Sequence, residues 1–386
     1  MIDSFPTSHI EISRHALNTN LEFLRKTLGS DILISSVIKG NAYGHGIEVY
    51  LPLAEECGQT HFSVFSAEEA LVAHKVRSPE TRIMIMGMID GSAIDWAIEN
   101  DIEFYVSDIP RLQETISKAK RLCRKAKIQI ESETGMHRTG LEFNELPLLT
   151  TLIDENSKYL DIEGLCTHYA GAESIANYIR IKQQRHNFIR SAKWLAKMGI
   201  KAKKHHTACS AAAMSYPKTR MDMVRIGIMQ YGFWSSIETM IHYMTSTDEH
   251  IDPLKRLICW KSRIMSTKTI ATGEFVGYGT DYLARRNMEV AAIPVGYSQG
   301  FSRNLSHQGR VLINGQFADV VGLVNMNLIL VDITDIPETK RGSDVTLIGR
   351  DGENEISVAS FAEFSNQMNY ELLTRLPDTI PRIIVD

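Results

Sequence analysis

The sequence predicts an α/β protein, a (β/α)8 TIM-like barrel followed by a mostly β C-terminal domain. Three observations carry this. Over residues 13–244, eight short apolar runs alternate with longer helical patterns. Repeated strand–helix units imply parallel strands joined by right-handed crossovers, and eight of them can close on themselves. After about Trp234 the character changes to β-rich runs separated by Gly, Asn and Asp turns. The length of 386 residues exceeds one average domain and leaves 245–386 for a second one. An open doubly wound sheet would show the same alternation, and the count of eight favours closure.

Taken in order, Leu17, Leu21, Leu24 and Leu28 recur at helical spacing over 13–28, with Ser13 a candidate N-cap. The apolar run 33–38 reads as a buried strand. Runs at 61–65, 82–87, 103–107, 127–132, 161–166, 205–208 and 223–226 complete the eight. Amphipathic helices are clearest over 109–126 and 174–197. In the second domain, 257–266, 290–295, 310–313, 317–321, 327–333 and 345–349 read as strands, and a short helix is expected near 357–367. Asn314-Gly315 is a strong hairpin signal, while Asp90-Gly91 and Asp351-Gly352 read as surface turns.

Composition narrows the function. A net charge of −4 offers no electrostatic footprint for nucleic acid or an acidic membrane surface. No stretch reaches the roughly 18 uncharged apolar residues of a membrane span, and no secretory signal is visible at the N-terminus. Five cysteines, Cys57, Cys123, Cys166, Cys209 and Cys259, are scattered without CxxC pairing. That spacing argues for reduced thiols in a cytoplasm, and against a disulfide frame or a structural zinc.

Barrel chemistry gathers at the C-terminal ends of strands. Lys39 and Tyr43 follow the first strand within Lys39-Gly40-Asn41-Ala42-Tyr43-Gly44-His45-Gly46. Arg138 follows the fifth, His168 the sixth and Ser210 the seventh, and Arg225 ends the eighth. Each alone has a plain structural role: a snorkelling lysine, a core histidine, an N-cap serine, a surface arginine. Six such residues at barrel-strand ends are harder to explain that way.

The octapeptide 39–46 closely resembles the cofactor-lysine motif of the alanine racemase family. Segments 134–142, 166–170, 206–212 and 222–228 resemble that family in the same order. The likeness continues through Gly277-Tyr278-Gly279-Thr280, 293–297, Asn369-Tyr370-Glu371 and 379–382, so it covers essentially the whole chain. It implies a barrel that binds pyridoxal 5′-phosphate (PLP), with residues 1–12 packing on the β domain. It implies an isomerase, most directly an alanine racemase interconverting L- and D-alanine for peptidoglycan precursors in the cytoplasm. The expected partners are a small amino-acid substrate and a second copy, in a head-to-tail homodimer with shared active sites.

By this resemblance Lys39 carries PLP as a Schiff base. Tyr43, Ser210 and Tyr370 hold its phosphate with the backbone N–H groups of Gly227 and Ile228. Arg225 faces the pyridine nitrogen, and because guanidinium stays protonated that nitrogen stays unprotonated. The ring is then a weaker electron sink, which suits simple proton exchange at Cα. Racemisation needs an acid–base group on each face of Cα. Lys39 would serve one face and Tyr278, from across the dimer, the other. His168, itself among the cofactor contacts, would link Tyr278 to Arg225, whose charge favours phenolate. Arg138 would bond the cofactor's phenolic oxygen and the substrate carboxylate, with Tyr297 and Met326 at carboxylate and access-channel positions.

Several positions depart from the family pattern. Glu131 stands where many members have a lysine, and a glutamate there could supply a carboxylate to Arg138 directly. Thr139 replaces an apolar residue and makes a polar or larger substrate, such as serine, conceivable. Cys209, Leu323, Asn327 and Ser298-Gln299 also differ. A PLP-dependent decarboxylase or a PLP carrier on the same barrel fits less well. The short β domain and the Tyr278 segment disfavour the first, and the presence of a β domain after the barrel disfavours the second.

Overall fold

The computed structural model describes residues 6–247, 251–358 and 369–386, with only the backbone of Asn369 and Tyr370. The chain forms two compact units: His15–Ala42 with Tyr50–Lys255, and Met1–Arg14 with Tyr43–Val49 and Arg256–Asp386.

In chain order the barrel unit's strands are β2 (Leu33–Val37), β3 (His61–Val64), β4 (Arg82–Ile85), β5 (Glu103–Val106), β6 (Ala126–Glu131), β7 (Leu160–Cys166), β8 (Lys204–His206) and β9 (Met223–Ile226). They form one parallel sheet in which β2 lies between β9 and β3 and the rest follow in sequence to β8. The seam is nearly closed: Asp222 N donates to His205 O at 3.1 Å and Arg225 N to Ala208 O at 2.9 Å. All eight expected strands are present, as a barrel rather than an open sheet.

The helices follow their apolar stripes. Helix Ile109–Leu122 buries Ile109, Leu112, Thr115, Ile116 and Ala119, and is opened by Asp108, which accepts from Arg111 N at 2.8 Å. It stops short of 126 because Cys123 turns left-handed and Ala126 begins β6. The stretch 174–197 divides into a 3-10 turn, Ile175–Asn177, and the helix Tyr178–Lys197. Asp90-Gly91 is not a free surface turn: extended Asp90 is the N-cap of helix Gly91–Glu99.

The lower barrel interior is charged. Arg82 pairs with Glu103 at 2.5 Å and with Glu163, while Lys203 bridges Glu163 and Asp161 at 2.7 Å each. Burial alone would raise the Glu103 carboxyl, yet His61, Arg82 and Gln129 hold it down at about 2. A bulge makes room for this cluster. Ile128 pairs with Ile162 but Gln129 pairs with Gly164, so Glu163 is the extra residue of β7.

In the second unit, β1 (Ser8–Ser13) lies between antiparallel β10 (Ile258–Arg263) and parallel β18 (Arg382–Val385). The N-terminal residues thus belong to this sheet. The stretch 257–266 is not one strand. The chain leaves β10, and β11 (Ser266–Ile270) pairs in a separate three-stranded sheet with β12 (Met288–Ile293) and β15 (Ile329–Asp332). The Asn314-Gly315 hairpin joins β13 (Arg310–Ile313) to β14 (Gln316–Asp319), with φ of 50° and 74° at the two turn residues. Asp351-Gly352 turns between β16 (Asp344–Asp351) and β17 (Asn354–Ile356). Most of the helix expected at 357–367 lies outside the described residues.

Removing Arg82 leaves two buried carboxylates short of a cation, so Arg82→Met should cost about 3 kcal/mol in denaturant melts at pH 7. The Glu103 contribution is full above its ordinary value of 4.5 and fades as the pH falls toward about 2. The gap between wild type and variant should therefore narrow with acidification. An unchanged gap from pH 7 to pH 3 would contradict the pairing.

Candidate active site

The backbone after Lys39 is unusual. Helix-like turn Lys39–Tyr43 is left-handed at Gly40 (φ 61°, ψ 45°), Asn41 (φ 51°, ψ 53°) and Ala42 (φ 53°, ψ 47°), and Tyr43 has φ 52°. Each non-glycine residue in this region costs about 1–2 kcal/mol, so the turn must be held from outside. Ala42 N donates to Ile38 O at 2.8 Å. The Glu69 carboxylate accepts from Gly40 N at 2.6 Å and Phe65 N at 2.8 Å, tying the turn to the end of β3. Lys39 itself remains accessible, and desolvation by its surroundings, with Arg138 second, lowers its pKa.

Around the same barrel end the structure gathers Arg138, His168, Cys209, Ser210 and Arg225. Arg138 lies on a loop closed at its base by Leu141 N donating to Glu131 O at 2.8 Å. Inside that loop the Glu133 carboxylate accepts from the N–H of Gly135, of Met136 at 2.8 Å and of His137 at 2.9 Å. His168 follows β7. Burial, then Arg225, Arg138 and Lys39, push its imidazole down to about 3, so it is neutral at physiological pH. Ser210 opens the helix Ser210–Ser215, and its Oγ accepts from Gly227 N at 2.9 Å. Ile228 opens a 3-10 turn, where an N–H has no acceptor within the turn.

Arg225 is buried, and its four terminal N–H groups meet four acceptors. Nη1 donates to His206 Nδ1 at 2.5 Å and His206 O at 2.8 Å; Nη2 donates to Thr167 O at 2.7 Å and Thr207 O at 3.2 Å. The surface ion pair considered for Arg225 is therefore overturned. Its Nε–H has no acceptor among the described residues.

Glu131 is buried, which pushes its carboxyl up against the pull of its hydrogen bond with Thr139 and the charges of Arg225 and Arg138. The two departures from the family pattern thus touch each other, and among the described residues no ion pair joins Glu131 to Arg138.

The β unit holds the remaining residues. Tyr278 is 70% exposed between Gly277 and Gly279, both at positive φ. Tyr297 and Met326 lie on two loops stitched together by Tyr297 N to Asn325 O at 3.0 Å and Ser298 N to Met326 O at 2.9 Å. Gly296 permits that approach, since a Cβ there would overlap the Asn325 and Met326 carbonyls. Tyr43 is buried at the end of its turn, and the Tyr370 side chain lies outside the described residues.

Residues 12–234 match the family model for the alanine racemase N-terminal domain, and residues 257–384 match the C-terminal domain. The chain belongs to the alanine racemase family. The members of this family are PLP-dependent racemases, and the chain is an amino-acid isomerase of that class. It is 34% identical over 381 residues to an alanine racemase of Leptospira interrogans, covering 98% of this chain and 96% of that one. An alanine racemase from Bartonella henselae with covalently bound pyridoxal phosphate superposes with a TM-score of 0.81 at 26% identity, covering 98% of this chain and 99% of that one. A histidine racemase from Leuconostoc mesenteroides superposes with a TM-score of 0.88 at 25% identity, covering 99% of this chain and 98% of that one.

Sequence reasoning missed His206, Gln129, Glu103 and Glu69. A signal existed for some of them: Lys127, Gln129 and Glu131 alternate on one face of β6, a polar face in a strand that is mostly buried.

Gly296→Ala should separate the loops carrying Tyr297 and Met326. The expected result is a raised substrate KM with the barrel unit's melting unchanged, measured by steady-state racemisation and calorimetry. An unaltered KM would mean that the loop pair does not shape the site.

Proposed function

We propose that this racemase interconverts L- and D-alanine and uses PLP held at Lys39. The observation that carries the reading is the convergence of an amine of lowered pKa with Arg138, neutral His168 and buried Arg225 at one barrel end. The residues fit the cofactor. Ser210 Oγ–H and the Ile228 N–H suit a phosphate, and the Arg225 Nε–H suits a ring nitrogen. The Gly227 N–H orients that hydroxyl by donating to its oxygen and could turn to the ligand. Tyr43 and Tyr370 are assigned as further donors on the resemblance alone. Bound PLP supplies an aldehyde that captures amines and a ring that acidifies the substrate Cα–H.

The chain's own groups do the rest. Desolvation keeps the Lys39 amine available as a nucleophile and then as a base on one face of Cα. Tyr278 serves the opposite face from a second copy, a role supported by its exposure on a glycine-flanked loop. His168, neutral beside Arg225, can accept a hydrogen bond and pass that cation's influence to the Tyr278 phenol. Arg138, Tyr297 and Met326 bind and admit the substrate carboxylate. The enzyme is accordingly a homodimer with shared sites. Free cysteines among the described residues support a cytoplasmic setting, where D-alanine feeds peptidoglycan precursors.

One observation favours a second reading, a racemase for serine or a larger polar amino acid. The Glu131–Thr139 pair places a buried carboxyl and a hydroxyl beside the Arg138 loop. A racemisation panel of alanine, serine, lysine, arginine and histidine on purified protein decides between the two: D-alanine formed fastest supports the first, and a polar substrate preferred over alanine replaces it.

Lys39→Ala should abolish the visible absorbance band of lysine-bound PLP and all turnover; a retained band would remove Lys39 from the anchor role. Tyr278→Phe should slow proton abstraction from one enantiomer far more than from the other, read from Cα deuterium isotope effects in each direction. Equal small effects would exclude it as a base.

A further inference from the structure

A continuous line of hydrogen bonds leaves Arg225 and runs down inside the barrel. Arg225 Nη1 donates to His206 Nδ1, so His206 must carry its proton on Nε2. His206 Nε2 is 2.9 Å from Gln129 Oε1, and Gln129 Nε2 donates to Glu103 Oε2 at 2.5 Å. Every donor points the same way, from the guanidinium at the C-terminal end of the strands to the carboxylate that begins β5. The groups are buried, and Tyr105 lies beside His206 with ring centroids 6.2 Å apart.

Two backbone features clear the path. The bulge in β7 sets Gly164, instead of a residue with a side chain, opposite Gln129. A Cβ at Gly164 would overlap Gln129 Oε1 and come within 3.0 Å of His206 Nε2. The glycine is required by the Gln129–His206 bond itself.

We propose that His206, Gln129 and Glu103 are positioning residues. They lock Arg225 by a terminal nitrogen, leaving its Nε–H as the one donor without an acceptor among the described residues, and they fix its orientation through one tautomer of His206. The ionised Glu103 sets the direction. Its oxygens only accept, so the Gln129 amide must present NH2 to it and oxygen to His206. The imidazole must then present its unprotonated Nδ1 to Arg225. This deepens the racemase reading and rests on it only for the kinetic arm of the test.

Histidine 15N NMR on the wild-type protein reads the relay directly, with the His206 signal assigned by its loss in His206→Gln. The neutral Nε2–H tautomer is expected, and an Nδ1–H tautomer or an imidazolium overturns the relay without any variant. Gly164→Ala then inserts one methyl group into the Gln129–His206 bond, and Gln129→Met removes that bond by another route. In either folded holoenzyme, the His206 signal should shift toward a mixture of tautomers. The kcat for racemisation should fall about tenfold, the scale of one misaligned hydrogen bond, while KM stays within about twofold. Lys203→Met is the control: it disturbs the Glu163 and Asp161 ion pairs but not the relay, so it should lower the melting temperature and leave tautomer and kcat unchanged. A wild-type tautomer with undiminished kcat in Gly164→Ala or Gln129→Met overturns the proposal. Wild-type protein that racemises no amino acid would overturn the racemase reading and leave the NMR result standing.

Discussion

The buried guanidinium of Arg225 is the constraint around which the C-terminal end of the barrel is built. It cannot discharge itself by losing a proton, so its surroundings must accommodate a permanent cation. They do so without a carboxylate in direct contact: three backbone carbonyls and one imidazole nitrogen take the terminal N–H groups. Those carbonyls belong to Thr167, His206 and Thr207, at the ends of β7 and β8, where strands finish and backbone acceptors become available. The barrel architecture thus supplies the cradle. The same cation helps burial to keep His168 and His206 neutral.

The turn after Lys39 is built by strain. Three non-glycine residues, Asn41, Ala42 and Tyr43, occupy the left-handed region in succession. At about 1–2 kcal/mol each, this turn would not persist on its own. The burial of Ala42 and Tyr43, the Glu69 carboxylate and the Ala42–Ile38 hydrogen bond offset the cost. In the β unit, the Gly44 carbonyl accepts from Arg382 Nη2 at 2.9 Å, and Gly44 lies too close to the Leu373 carbonyl for any side chain. The backbone at Gly44 is therefore held within the β unit.

The parts of this structure that were legible in the sequence are those where pattern and position coincide. Short apolar runs ending in a lysine, arginine, histidine or serine revealed both the eight strands and the residues at their ends. Lys39, His168 and Arg225 are examples. What escaped was polarity inside the runs. The alternation of Lys127, Gln129 and Glu131 marks a polar face on β6, whereas Glu103 stands alone at the start of the four-residue β5, where no periodicity can be read. The bulge at Glu163 depends on pairing with β6, a tertiary fact with no local signature. The same holds for the chain's change of sheet after β10, where apolar Ile264 and Met265 continue the strand pattern while their backbones bond to different partners. The contact between Glu131 and Thr139 was hidden for a further reason: the residues lie eight apart, and a pinched loop closes that distance.

A charged barrel interior is costly, since apolar layers of the same volume would avoid the desolvation of Arg82, Glu103 and Glu163. The arrangement of Arg225 suggests what the cost accomplishes. A carboxylate bound directly to the guanidinium would occupy its fork and cancel its field around Nε. Set two neutral groups away, Glu103 still orients every dipole between them, yet it leaves the cation's field largely intact toward Nε. The counter-charge is then itself balanced at the barrel's other end by Arg82, with Lys203 completing the cluster through Glu163. Distance is the design variable: a carboxylate close enough to order the arginine through hydrogen bonds, and too far to neutralise it.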